Sequence, residues 1–184
     1  KSLPMFQEAM DTVTVYHDGT VDAPVIEPAS RVPDKELNPV LLEENLNIHQ
    51  VHQALLLGIR DYFNKMGFSK AILGSSGGID SAVTLALACE ALGKENVRAI
   101  LMPSPYSTHH SVNDAVQLSK NLGNPYDIIR INNIYDSFLS TLQPQFNGLP
   151  FSVAEENIQS RTRGNLLMAI ANKFGYILLN TSNK

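Results

Sequence analysis

One cysteine, Cys89, is all that the 184 residues contain. No internal disulfide can staple the chain, which suits a reducing compartment. Cys89 lies in an alanine- and leucine-rich run and is expected as a small core residue rather than a nucleophile. Excess basic charge is absent too. The net charge is −4 and the pI about 5.7, which argues against a broad nucleic-acid-binding surface. No apolar run approaches the roughly 20 residues that cross a bilayer, and the N-terminus lacks a signal-peptide pattern. The expectation is a cytoplasmic protein with no membrane and no nucleic-acid partner, in which any nucleotide is held by a local site.

What is present suffices for a core: 43% of residues are hydrophobic, and the length allows one ordinary domain with an appendage. Residues 1–46 differ from the rest. "VTVYHDGTV" reads as strand, Asp-Gly turn, strand. The proline-rich stretch after it, "DAPVIEPASRVPDKELNPV", reads as an extended connection. From residue 47 onward helix and strand patterns alternate. Helices are expected at 47–67, 79–92, about 111–122, 134–142 and 153–174. Strands are expected in "KAILGS", "NVRAILMP", "YDIIRI" and "YILLNTS". Alternation of this kind implies a Rossmann-like α/β fold, a parallel sheet with helices on both faces. Such sheets bind ligands outside the carboxyl ends of their strands. The chain stops just after the fourth strand, at "TSNK", and is expected to be a truncated piece at both ends.

The stretch "ILGSSGGIDSAVTLALACEAL" puts serines, glycines and an acid where a strand hands over to a helix. Gly77 and Gly78 can take positive φ and let backbone approach a ligand. Successive N–H groups at a helix N-terminus favour an anion, and Ser75, Ser76 and Ser81 add hydroxyls. The plainer alternative is a tight turn in which Asp80 or Ser76 caps the helix. Against it, seven of the eight residues in "GSSGGIDS" are Gly, Ser or Asp, more than one cap requires. A carboxylate beside a bound phosphate also calls for Mg²⁺ between them. No lysine follows the glycines, so the loop is not the nucleoside-triphosphatase type, and it is not GxGxxG.

Ser76-Gly77-Gly78-Ile79-Asp80-Ser81 resembles the SGGxDS pyrophosphate loop of the ATP pyrophosphatases, the adenine nucleotide alpha hydrolase-like superfamily. Its members cleave ATP to AMP and pyrophosphate while adenylating a substrate. "EENIQSRTRGNLLMAIANKFGYILLNTSNK" resembles the corresponding stretch of NAD synthetases, particularly the glutamine-dependent kind, and "LMPSPYSTHHSVNDA" is similar to that subfamily. The resemblance runs from about residue 47 to the end. Residues 1–46 resemble the end of a glutaminase (nitrilase-like) domain and its linker, so 47–184 is read as the N-terminal part of the synthetase domain.

On the long helix, Asn157, Arg161 and Asn165 recur at every fourth residue and share a polar stripe. Ile158, Leu166 or Leu167, and Ile170 form an apolar face. A guanidinium at Arg161 or Arg163 could meet a phosphate. The resemblance implies that Gly74, Ser75, Ser76, Gly77, Gly78, Ile79, Asp80, Ser81 and Thr181 contact ATP. It implies that Asp80 and Ser76 serve catalysis, that Asp80 holds Mg²⁺, and that Asn157 and Arg161 contact deamido-NAD, often across a dimer interface. In the family a glutamate that ligates Mg²⁺ follows the lysine matching Lys184, so the chain by itself is expected to be inactive. Met102-Pro103-Ser104 before Pro105-Tyr106 carry no phosphate-binding arginine. His49, His52, His109 and His110 are expected in surface or capping roles.

The expected enzyme is a C–N bond-forming ligase that amidates deamido-NAD to NAD through an acyl-adenylate. ATP, Mg²⁺ and ammonia from glutamine are its implied reactants, and a homodimer or higher homo-oligomer its assembly. A GMP-synthetase-like or tRNA-modifying enzyme with the same loop stays open as an alternative, as does a non-catalytic ATP-binding fragment.

Overall fold

The computed structural model describes residues 6, 13–22 and 43–181. The chain divides into two compact units, residues 1–57 and 58–184. In the first, β1 (Thr14–Val15) pairs antiparallel with β2 (Val21–Asp22), Val15 opposite Val21. The turn is the Asp-Gly one expected. Gly19 takes φ +82°, and the Asp18 carboxylate accepts from the Thr20 N–H at 2.9 Å and its hydroxyl at 2.7 Å. The proline-rich connection lies outside the described residues.

The helix α1 (Glu43–Met66) begins in the first unit and ends in the second. The second unit then runs β3 (Ala71–Gly74), α2 (Ile79–Leu92), β4 (Val97–Leu101), α3 (His109–Leu122), β5 (Tyr126–Ile128), α4 (Asn132–Phe146), α5 (Val153–Phe174) and β6 (Ile177–Leu178). The four strands form one parallel sheet in the order β5-β4-β3-β6. The chain builds outward from β3 through β4 to β5, then returns to the other side of β3. That reversal opens a crevice at the carboxyl ends of β3 and β6.

Alternate residues of the strands feed two cores. Ala71, Leu73, Val97, Ala99 and Leu101 pack with Phe63, Leu85, Ala88, Cys89 and Ala115 from α1, α2 and α3. Ile72, Ile100 and Met102 pack with Leu167 and Ala171 of α5 on the opposite side. Both faces are therefore covered, which is why these strands read as continuous apolar runs. Cys89 is buried as expected, and its surroundings push the thiol up to about 11, far from a reactive thiolate.

Several boundaries differ from expectation. The helix α3 starts two residues earlier because the Thr108 hydroxyl accepts from the Ser111 N–H and caps it. His109 and His110 are thus its first turn. The helix α4 extends at both ends and carries Pro144 in its last turn, closing at Asn147 with φ +47°. The strands β5 and β6 are shorter than their apolar runs, because only Tyr126–Ile128 and Ile177–Leu178 find a ladder partner.

Candidate nucleotide-binding site

The strand β3 ends at Gly74, where an added Cβ would meet Leu167 Cδ1 at 3.2 Å and Met102 Cε at 3.3 Å. The next residue stays tied to the sheet, its N–H donating to the Ile100 carbonyl at 2.9 Å. The Ser75 side chain is buried, 4% exposed, and its Oγ has no hydrogen-bond partner among the described residues. An orphaned buried hydroxyl costs free energy unless something bonds it.

Gly77 is fixed twice over. Its φ is +85°, and a Cβ there would overlap the Ser111 backbone at the start of α3. The loop is thereby pressed onto a second helix start. Gly78 corrects an expectation: its φ is −85°, so only the first glycine of the pair is left-handed. Serines brace the turn from within. Ser81 Oγ donates to the Gly78 carbonyl at 2.9 Å and accepts from the Ser76 N–H at 3.2 Å. The Ser76 and Ser81 hydroxyls lie 3.1 Å apart, and Ser76 Oγ accepts from the Gly78 N–H at 3.2 Å.

The expected nest of amides is accordingly narrower. The N–H groups of Ser75, Ser76 and Gly78 are engaged within the protein, and the Ser81 hydroxyl is spent on the loop. The first turn of α2 remains. Its N-cap is Gly78, and no side chain caps it, neither Ser76 nor Asp80. Asp80 is exposed in that turn. No group of three His, Cys, Asp or Glu residues is gathered for a metal among the described residues. A cation here would rest on one carboxylate and on oxygens of its ligand, an arrangement Mg²⁺ commonly takes.

Beside the loop lies a cavity of about 680 Å³, within the usual range for small-molecule sites. Gly74, Ser75 and Ser76 line one end. The ends of β4 and β6 supply Met102, Leu178 and Thr181, the start of α3 supplies Ser111, and α5 forms a wall. Within that wall Arg163 is half-buried, its Nε donating to the Met102 carbonyl at 3.1 Å. Burial pulls its guanidinium pKa below the ordinary value.

Of the residues expected at the site, Gly74, Ser75, Ser76 and Thr181 line this cavity, and Gly77, Gly78, Ile79, Asp80 and Ser81 continue from its edge into α2. Asn157 and Arg161 do not line it. Both are exposed on α5, and Arg161 falls between Ser160 and Arg163, which do line it. Sequence reasoning left Arg161 or Arg163 open as a phosphate partner and took Arg161, through the resemblance, as the deamido-NAD contact; of the two, Arg163 lines the cavity. That reasoning passed over Ser160, Gly164 and Met168, which line the same wall. A glycine in mid-helix was the available signal.

The family model described as NAD synthase matches residues 51–184. A glutamine-dependent NAD(+) synthetase of Synechocystis sp. is 59% identical over 139 residues, 76% of this chain and 25% of that protein. Another from Thermotoga maritima is 39% identical over 198 residues, 98% of this chain and 34% of that protein. Among solved structures, glutamine-dependent NAD+ synthetase from Acinetobacter baumannii in complex with ADP aligns with a TM-score of 0.72 and 46% identity, over 73% of this chain and 26% of that one. The chain spans about a quarter to a third of the length of these relatives. Its parallel sheet flanked by helices is the adenine nucleotide alpha hydrolase fold of those synthetases. With the family model covering residues 51–184, this chain belongs to the NAD synthase family.

Proposed function

We propose that the protein carrying this chain is a glutamine-dependent NAD synthetase that joins ammonia to deamido-NAD at the expense of ATP. The observation that carries the nucleotide reading is the uncapped start of α2 beside a cavity where the buried Ser75 hydroxyl lacks a partner among the described residues. A relative with 46% identity was solved with ADP, which supports an adenine nucleotide as the occupant.

In this reading the nicotinate carboxylate attacks the α-phosphorus of ATP. The bond from that phosphorus to the bridging oxygen breaks, and pyrophosphate leaves. Ammonia then attacks the acyl carbon, AMP departs with the carboxylate oxygen, and the amide loses a proton to water. The protein's share is positioning and stabilisation of charge. The first-turn amides of α2 and the Gly77 region would receive the leaving pyrophosphate. The Ser75 and Ser76 hydroxyls would orient the tail, and Thr181 would touch the nucleotide from β6. Mg²⁺, when bound, would rest on Asp80 and neutralise charge on the phosphates. Asn157 and Arg161, outside the cavity, would hold the part of deamido-NAD that extends beyond it, with a second subunit as the other wall. A homodimer in the cytoplasm completes the proposal. No helix among the described residues is long and apolar enough to cross a membrane.

Full-length protein given ATP, Mg²⁺, ammonia and deamido-NAD should release NAD, AMP and pyrophosphate in equal amounts. ADP as product, or turnover without deamido-NAD, would end this reading. Asp80→Asn should cut turnover at least about a hundredfold with the melting temperature unmoved. Unchanged turnover would leave Asp80 only a favourable charge at a helix start.

A further inference from the structure

We propose that Gly164 sets the room for the base-and-sugar end of the adenine nucleotide and is a specificity-determining residue of the cavity. The inference rests on the nucleotide reading above and adds where the two ends of the ligand lie.

Glycine inside a helix lowers its stability relative to alanine, so a mid-helix glycine needs a reason. Two ordinary reasons fail here. Gly164 is not among the glycines with positive φ, and a Cβ added to it would meet nothing within 4 Å. Gly74 and Gly77 are different, since protein atoms crowd both of them. Gly58 in α1 is as unhindered as Gly164 but is exposed and does not line this cavity.

The space beside Gly164 is cavity space. Ser160, four residues before it, and Leu167 and Met168, three and four after it, share its side of α5. All three line the same cavity. A side chain at 164 would therefore grow into the volume a ligand takes. The chemistry along this wall points to the apolar end of that ligand. Leu167, Met168, Leu178 and Met102 line the cavity with it, an apolar surface that suits a flat aromatic base. The anion-favouring α2 start follows the loop, two residues beyond Gly77, and no α2 residue lines the cavity. Arg163, the cation next to Gly164, already has its Nε on the Met102 carbonyl.

Calorimetry on the full-length protein separates the possibilities, with ATP and inorganic tripolyphosphate as probes. Gly164→Leu should lose at least tenfold in ATP affinity and keep its tripolyphosphate affinity. Gly164→Ala should melt higher than wild type yet raise the KM for ATP severalfold with little change in kcat. Gly58→Ala should melt higher with no change in either probe. A Gly164→Leu protein that binds ATP like wild type overturns the proposal, because the space is then unused. Equal losses of ATP and tripolyphosphate overturn it as well, because phosphate rather than base would then lie against α5. Wild-type protein that binds neither probe removes the nucleotide reading itself, and this inference with it.

Discussion

Two helices beside the same cavity begin in opposite ways. The helix α5 is closed by its own sequence. The Ser152 hydroxyl accepts from the Ala154 N–H at 3.2 Å, and the Glu155 carboxylate accepts from the Ser152 N–H at 2.7 Å, a full capping box. The helix α2 opens with Gly78 and has no side-chain cap, although serines stand on both sides of it. Those serines are turned to the loop, Ser76 and Ser81 bracing each other. Where the chain needs only a stable helix it supplies acceptors. Where a ligand is proposed it withholds them, and the partial positive charge of the first turn stays available.

The sharpest way to break this comparison is at Gly77. In Gly77→Ala the new methyl meets a left-handed backbone, costing about 1–2 kcal/mol, and the Ser111 backbone besides. The loop or the start of α3 must move. ATP affinity should fall about a hundredfold and the melting temperature by several degrees, roughly the effect of 2–3 kcal/mol. Normal binding would mean that the loop's shape does not matter to the ligand.

Gly78→Asp tests the open start directly. Aspartate is a better N-cap than glycine by a few tenths of a kcal/mol, and Gly78 already has an extended backbone that aspartate can adopt. Stability should hold or rise slightly. Added negative charge near the proposed phosphates should lower ATP affinity about tenfold. Melting and affinity that rise together would show that the uncapped turn serves no anion.

Much of this arrangement was legible in the sequence. The apolar "KAILGS" and "NVRAILMP" announced buried parallel strands because both faces of each must be covered. Helices α2 and α5 fall where their patterns placed them, since Gly93 and Gly175 end them. The loop was legible as a whole, but not the division of labour inside it. Nothing in "SSGGIDS" says that Ser81 would spend its proton on the Gly78 carbonyl, or that Gly78 would be extended. Those depend on Ser111, thirty residues on, and on Ile100 in the neighbouring strand. The cavity wall was hidden for the same reason. Ser160, Gly164 and Met168 become a surface only when α5 crosses the ends of β4 and β6.

At the closed helix the expected effects are smaller and fall on stability alone. Ser152→Ala removes a cap and should cost about 1 kcal/mol. Because Ser152 does not line the cavity, ATP affinity of the folded protein should stay within about twofold, by titration well below the melting temperature. A tenfold loss would mean that the two helix starts are coupled and cannot be contrasted as independent.

The capping carboxylate gives this helix a pH signature. The Ser152 N–H, followed by the Glu155 N–H, draws the Glu155 pKa below its ordinary 4.5. A carboxylate whose pKa is lower in the folded state binds its proton more readily when unfolded. Its stabilisation is therefore complete above about pH 4.5 and is lost as pH falls through that value and below. Denaturation of wild type and Glu155→Gln from pH 6 to 3 should show a gap favouring wild type at pH 6. The gap should shrink as the carboxylate takes up its proton, since the protonated acid and the amide then present similar groups to the Ser152 N–H. A gap that persists unchanged at pH 3 would place the stabilisation in packing of the side chain rather than in its charge. The contrast between a helix closed by its own anion and one left open for a ligand's would then have to rest on α2 alone.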